Sequence, residues 1–259
     1  MTAATEARHV VDCTGIPITA CSAPEAASMV LDLALADKAV GADIHLCNAY
    51  TLALANSTPA FGDLLRHAAV NFPDGQSVVW ANRIRHRKLA LPSRRVYGPD
   101  MFRDVLRRGQ QVGLRHYLLG STWDVLTSLE ERLRRLFPNA LVVGTDSPPF
   151  RDLTQSELRD QAARIKRSGA HIVWVGLGTP KQDLEAFRLA HELPLVFVAI
   201  GAAFDFVAGT KPQAPLWMQN NGLEWLFRLG SEPRRLWRRY VFGNSRFAWA
   251  AARQLLEHR

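Results

Sequence analysis

Two short runs in this chain have residue types suited to reaction chemistry. GLGTPKQD follows an apolar stretch and opens a helical pattern, so backbone amides from Gly178 onward, with the Lys181 ammonium, could hold a phosphate at a helix N-terminus. Its spacing is not GxGxxG, and the plainer reading is a tight strand-to-helix turn with an exposed lysine. HYLLGST is a weaker version of the same pattern. FPDGQSVVW sets Asp74 in a Pro-Asp-Gly turn, which as a tripeptide needs no function beyond turning the chain, although a carboxylate there could also accept a proton. There is no DxD pair, HExxH, Cys/His ligand cluster or GxSxG elbow, so neither a metal site nor a serine nucleophile is expected. A diphosphate leaving group would then depend on Arg, Lys and helix N-termini to offset its charge.

The elements that must position these runs alternate along the chain. HVVDCTGIPITACS reads as a hairpin around Gly15-Ile16-Pro17, and a helix starts at Ser22-Ala23-Pro24-Glu25 and runs to about Ala39. Strands are expected at IHLCNAY, SVVWANRI, HYLLG, ALVVGT, HIVWVGLG and LVFVAIGAAF. Helices are expected from Ser57 to Ala69, Pro99 to Arg108, Trp123 to Phe137, Thr154 to Ser168 and Lys181 to His191. Asp74 on this reading stands in front of a strand. Short apolar runs separated by amphipathic helices fit a doubly wound, mainly parallel, Rossmann-like α/β sheet covered on both faces, with an N-terminal hairpin. Ligands bind such sheets at the carboxyl ends of the strands, here at Asn48, Gly120, Thr145, Gly178 to Gln182, and Gly201 to Asp205.

Composition bounds the partners. The 259 residues, 47% hydrophobic and 22% charged, suit an ordinary folded domain, and 32 Lys+Arg against 24 Asp+Glu give a net charge of +8 that favours an anionic partner. Cys13, Cys21 and Cys47 form no CxxC pair and are expected as reduced thiols of a cytoplasmic protein. No signal segment or membrane span is visible, so membrane contact would be peripheral. After a catalytic core of residues 1–207, residues 208–259 change character. Trp217, Trp225, Trp237 and Trp249 interleave there with Arg228, Arg234, Arg235, Arg238, Arg239, Arg246 and Arg253. Two or three helices divided near Gly230–Pro233 and Gly243-Asn244 would make an appendage suited to a bilayer interface.

Read in order, NAYTLALA, FPDGQSVVWA, RRVYGPDMF, LLGST, VGLGTPKQD, AIGAAFDFVAGT, APLWMQNNGLEWLFRL and EPRRLWRRYVFGN resemble the WecG/TagA/CpsF glycosyltransferases over roughly residues 41 to 245. The resemblance implies a peripheral bacterial enzyme at the inner face of the plasma membrane, acting in cell-envelope polysaccharide synthesis. Its reaction would be an inverting, metal-independent transfer of a hexose or N-acetylhexosamine, or its uronic acid, from a UDP-sugar to a polyprenyl-diphosphate-linked sugar. No cofactor is implied, and the family's tendency to self-associate leaves a homo-oligomer open. Asp74 would match the catalytic base, Asn48 the pocket asparagine, Arg95 the arginine before the G-x-D segment, and Gln182 the glutamine of the GTPKQ run. The diphosphate would fall to members of Arg234, Arg235, Arg238 and Arg239. Leu46 and Gln213 stand where the family commonly has Thr and Arg.

That chemistry is coherent. An acceptor hydroxyl titrates far above neutrality, so attack on the anomeric carbon requires a carboxylate to take its proton. Arg95, Lys181 and the appendage arginines would steady the leaving UDP. The rivals are a nucleotide-dependent oxidoreductase, disfavoured by the missing GxGxxG, a nucleic-acid binder using the Arg/Trp-rich tail, and a catalytically lapsed relative.

Overall fold

The computed structural model describes residues 9–37 and 39–257. In chain order the elements are β1 (His9–Cys13), β2 (Ile16–Ala20), α1 (Ala23–Leu35), β3 (Ala42–Cys47), α2 (Ala49–Ser57), α3 (Pro59–His67), β4 (Val70–Pro73), α4 (Gln76–Arg85), α5 (Gly98–Gly109), β5 (Arg115–Leu119) and α6 (Trp123–Leu136). There follow β6 (Leu141–Asp146), α7 (Gln155–Arg167), β7 (Ile172–Val175), α8 (Lys181–Glu192), β8 (Val196–Ala199), α9 (Ala203–Ala208), α10 (Leu216–Asn220), α11 (Glu224–Ser231), α12 (Pro233–Arg238) and α13 (Ser245–Leu256). A π-helical stretch, Arg239–Asn244, joins α12 to α13. Six strands form one sheet in the order β4-β3-β8-β7-β5-β6, and β1 pairs with β2 apart from it. The pairings β3–β8, β8–β7, β7–β5 and β5–β6 are parallel, as the Rossmann-like reading requires.

The chain divides into two compact units: Met1–Ala23 with Leu46–Tyr97 and Ala214–Arg259, and Pro24–His45 with Gly98–Gln213. In the second unit, alternation along β7 separates two faces. Val173 and Val175 pack with Ala162 and Ile165 of α7 and with Ala186 and Leu189 of α8. Trp174 points the other way, edge-on to Phe102 of α5 at 4.8 Å between centroids, and Phe102 in turn meets Phe204 of α9. Helices therefore cover both faces, which is why these strands are apolar on both sides instead of alternating.

In the first unit, Thr14 and Gly15 both take positive φ, 53° and 84°, closing the two-residue β1–β2 hairpin that the sequence placed here. The C-terminal helix α13 is fastened to this hairpin and to α4: Thr14 N donates to Gln254 Oε1 at 2.8 Å, and Arg85 donates to the Gln254 carbonyl at 3.0 Å. Leu236 and Phe247 are buried, so the C-terminal segment from Ala214 contributes core to this unit.

Several local expectations change. SVVWANRI is not a strand; it forms α4, and the strand here is Val70–Pro73, upstream of Asp74. The β-branched Val78 and Val79 invited the strand reading, but they bury together with Asn82, one turn on, which is helical spacing. The Ser57–Ala69 helix begins only after a break at Thr58, where Pro59 starts α3 and a separate α2 ends. The first helix stops at Leu35, and LVFVAIGAAF leaves the sheet at Ala199 because Gly201, at φ 60°, turns the chain into α9. The C-terminal segment carries four α-helices, and Gly243-Asn244 lies inside the π-helical stretch instead of at a break.

Candidate active site

Asp74 follows β4 directly, and its N–H donates to the carbonyl of Cys47, the last residue of β3, at 2.9 Å. The Pro-Asp-Gly turn is thereby set at the carboxyl ends of β3 and β4, where a parallel sheet presents ligands. A Cβ on Gly75 would come within 3.2 Å of the Asn48 side chain, so the turn lies directly on Asn48. Asn48 caps α2: its Oδ1 accepts from Tyr50 N at 3.1 Å and Thr51 N at 3.2 Å. The cap fixes which end of the amide points where. Oδ1 is committed to the helix, and the amide nitrogen is the end left to meet a ligand.

Arg95 completes this group. Its Nη1 donates to the backbone carbonyl of Asp74 at 3.3 Å, its Nη2 pairs with Glu224 of α11, and its guanidinium lies 4.1 Å from the Tyr97 ring centre. Tyr97 also donates its hydroxyl to Glu224 Oε1 at 3.4 Å. Burial works against the charge on Arg95, but the charges of Asp74 and Glu224 and the bond to Glu224 outweigh it and hold the guanidinium firmly protonated. By the same attraction Arg95 favours the ionised form of Asp74, the form a proton acceptor needs.

The four C-terminal arginines differ sharply. Arg234, Arg235 and Arg238 are exposed, with Arg235 paired to Glu232 at 2.5 Å and Arg238 lying over Trp237. Arg239 is different. Its guanidinium lies 4.3 Å from the ring centre of Tyr50, two residues beyond Asn48, its Nε is buried without a partner, and no carboxylate pairs with it among the described residues. Burial, with Arg228 and Arg235 nearby, pushes its protonation downward. The π-helical stretch supports this placement, since Gly243 packs against Tyr50, where a Cβ would come within 2.9 Å of the ring.

Gly178, Lys181 and Gln182 belong to the second unit. There β5 and β7 are adjacent, β5 leads through α6 outward to β6, and β7 leads through α8 the opposite way to β8. That is a topological switch point, with a crevice at the strands' carboxyl ends. Gly120 and Gly176 meet there, since a Cβ on Gly120 would lie 2.9 Å from the Gly176 carbonyl carbon. Gln182 braces the loop: it is 4% exposed, and its Oε1 accepts from Gly178 N at 2.9 Å. Lys181 is exposed and reaches the Phe150 carbonyl at 3.4 Å. Gly178 has open space at its Cβ position and φ of 78°, leaving its backbone approachable.

Beneath this loop sits a buried triad that the sequence did not suggest. His45 is fully buried, with Nδ1 3.0 Å from Asp183 Oδ1 on α8 and Nε2 2.9 Å from Asp43 Oδ2 on β3. Burial opposes its charge, but the bonds to Asp183 and Asp43 and their negative charges prevail, raising the imidazole to about 9. A histidine raised above its unfolded value of 6.5 stabilises the fold fully below that pH and ceases to do so as pH passes through about 9. His45→Gln is therefore expected to flatten the fall in melting temperature between those pH values; an unchanged profile would show that His45 is not the titrating group.

Among the described residues no cluster of three or more His, Cys, Asp or Glu side chains is placed to hold a metal ion, and no helix is long and apolar enough to cross a membrane. Asp74, Asn48, Arg95 and the C-terminal arginines thus fall in one unit, while Gly178, Lys181 and Gln182 fall in the other. Sequence reading missed Glu224 and Tyr97; both lie within runs already singled out, GLEWLFRL and RRVYGPDMF, but only the fold discloses their shared pairing with Arg95. Against known families, the chain matches the model described as Glycosyl transferase WecG/TagA/CpsF family over residues 11–259.

Proposed function

We propose, for a chain that belongs to the WecG/TagA/CpsF glycosyltransferase family, an inverting, metal-independent transfer of a hexose or N-acetylhexosamine, or its uronic acid, from a UDP-sugar to a polyprenyl-diphosphate-linked sugar at the inner face of the bacterial plasma membrane. The observation that carries the chemistry is the setting of Asp74: at the carboxyl end of β4, against Asn48 at the end of β3, and beside Arg95.

In this reading Asp74 takes the proton of the acceptor hydroxyl as it attacks the anomeric carbon, and a single displacement inverts the configuration there. Asn48 offers its amide nitrogen to a sugar or phosphate oxygen. Arg95 acts chiefly on position, because Glu224 already balances its charge and it grips the Asp74 carbonyl. Arg239 has no carboxylate partner among the described residues, and a half-buried guanidinium whose Nε is enclosed without one is costly unless an anion joins it. It is therefore the C-terminal arginine best suited to a diphosphate, with Arg234, Arg235 and Arg238 contributing longer-range attraction. Lys181 and the Gly178 loop serve the donor nucleotide, with Gln182 holding the loop in shape.

Peripheral association is supported by exposed Leu216, Trp217, Trp225, Trp237, Phe242 and Trp249 among these arginines. A thermal-shift panel tests the donor. UDP and UDP-sugars are expected to raise the melting temperature progressively with the logarithm of concentration, and ADP-sugars are not. No shift with any uridine nucleotide at millimolar concentration would contradict the donor assignment.

A further inference from the structure

The stretch from Gly75 to Tyr97 contains no Asp or Glu but carries Arg83, Arg85, Arg87, Lys88, Arg94 and Arg95. Two of these are engaged, Arg95 by Glu224 and Arg85 by Asp12 and Gln254. Arg83, Arg87, Lys88 and Arg94 are exposed and make no ion pair among the described residues. Trp80, Arg83, Ile84 and Arg87 follow at three- and four-residue steps along α4 and the turn after it, so they share one helical face. On that face Trp80 is 47% exposed and Ile84 60% exposed. An apolar pair bracketed by unpaired guanidinium groups is what an interfacial helix presents to anionic lipid.

Beside this face opens a small depression of about 10 Å³, room for one water-sized group such as a hydroxyl, lined by Cys21, Pro73, Asn82, Arg83, Pro92 and Arg94, among others. Asn82 is 3% exposed, and its Oδ1 is buried with no hydrogen-bond partner. Two unpaired arginines with an unsatisfied carboxamide suit a group that is at once anionic and hydroxylated: the guanidiniums meet a phosphate, and Oδ1 accepts from a hydroxyl. A phosphatidylglycerol headgroup combines both features.

We propose that the outer face of α4 and the loop to Arg94 form a membrane-docking surface, in which Trp80 and Ile84 enter the interface and Arg83, Arg94 and Asn82 hold the headgroup of an anionic glycerophospholipid. This surface adjoins the C-terminal helices, since the Trp80 ring edge lies against Gly222 and Arg85 holds the Gln254 carbonyl, but its cations come from a different stretch of the chain and have no part in the sugar transfer proposed above. Its charge is fixed by residues that neither the fold nor the reaction uses.

The test is co-sedimentation of the full chain with vesicles of equal phosphatidylglycerol and phosphatidylcholine. Arg83→Gln with Arg94→Gln is expected to weaken binding roughly 30-fold, from two lost headgroup contacts. Ile84→Asn alone is expected to weaken it roughly tenfold. A control pair, Lys166→Gln with Arg167→Gln, removes the same charge from exposed positions on α7 and is expected to leave binding within about threefold, the headgroup-contact term being absent. Equal losses in both pairs would show that net charge alone attracts the vesicle and would overturn the proposal, as would unchanged binding in the first pair. Protection of the Arg83/Arg94 pocket by inorganic phosphate, with vesicle binding indifferent to Ile84, would assign the pocket to a free anion and also overturn it. The assay reads no transfer, and retention of the UDP thermal shift in each variant separates its failure from failure of the donor assignment.

Discussion

Asp74→Asn is expected to lower kcat/KM by about 10²- to 10⁴-fold, the range for removing a positioned general base. The loss should fall on kcat, with melting temperature and UDP-sugar affinity close to those of the parent. Asparagine keeps the shape of the side chain, and the turn is held by backbone groups that survive the change: the Asp74 N–H on the Cys47 carbonyl at 2.9 Å and the Asp74 carbonyl under Arg95 at 3.3 Å. The change removes proton acceptance together with the carboxylate charge beside Arg95, which Glu224 still balances. Steady-state kinetics with a UDP-sugar and a lipid-diphosphate acceptor, alongside the thermal shift, separate chemistry from folding. Turnover near that of the parent would take Asp74 out of the mechanism.

The largest stability effect is expected at Glu224. With Glu224 7% and Arg95 14% exposed at the side chain, Glu224→Gln leaves a nearly buried guanidinium without its anion. Breaking such a pair by removing one member costs about 3 kcal/mol, the lower end of the buried range because Arg95 retains some solvent. For a chain of this size that is a fall of roughly 6–12 °C in melting temperature. Tyr97→Phe removes only the hydroxyl bond to Glu224 and is expected to cost about 1 kcal/mol. Activity should change in a characteristic way in Glu224→Gln. Once released, Arg95 is drawn towards the Asp74 carboxylate, lowering its basicity, so kcat falls and the acidic limb of the pH profile moves down. Urea unfolding of both variants measures the first effect. A loss under about 0.5 kcal/mol for Glu224→Gln would show that the pair is solvated, as surface pairs are.

Glu224 also bears on how the C-terminal segment is best probed. Because this segment buries Glu224, Leu236 and Phe247, deleting it would expose core, and a truncated chain that fails to bind vesicles would report unfolding as readily as lost contact. Substitutions at exposed Trp217 and Trp249 leave that core in place.

The strand and helix alternation was legible because a parallel sheet covered on both faces demands short apolar runs, as at β5, β7 and β8. Around Asp74 the sequence was misleading. SVVWANRI carries β-branched residues and reads as a strand, yet Gly75 starts a helix there and the four-residue Val70–Pro73 strand is too short to announce itself. The consequence is functional: a strand after Asp74 would put it at the wrong end of the sheet, whereas the strand before it delivers it to the ligand edge beside Asn48. Asn48, Asp74 and Arg95 were named from motif resemblance, and the fold brings them together within one unit. What no spacing could disclose were long-range pairings, 129 residues apart for Arg95 with Glu224 and 138 apart for His45 with Asp183. Likewise, four neighbouring arginines look equivalent in a string, and only the packing of Tyr50 under Arg239 distinguishes one.

The most direct test of the central claim is to incubate the purified chain with a UDP-sugar and a synthetic polyprenyl-diphosphate-linked sugar in excess EDTA, following UDP release and the anomeric configuration of the product by NMR. Stoichiometric UDP release with an inverted glycosidic bond, lost in Asp74→Asn, is the expected result. Transfer that requires added divalent metal, or that retains configuration, would contradict the account of Asp74 as the base of a single displacement.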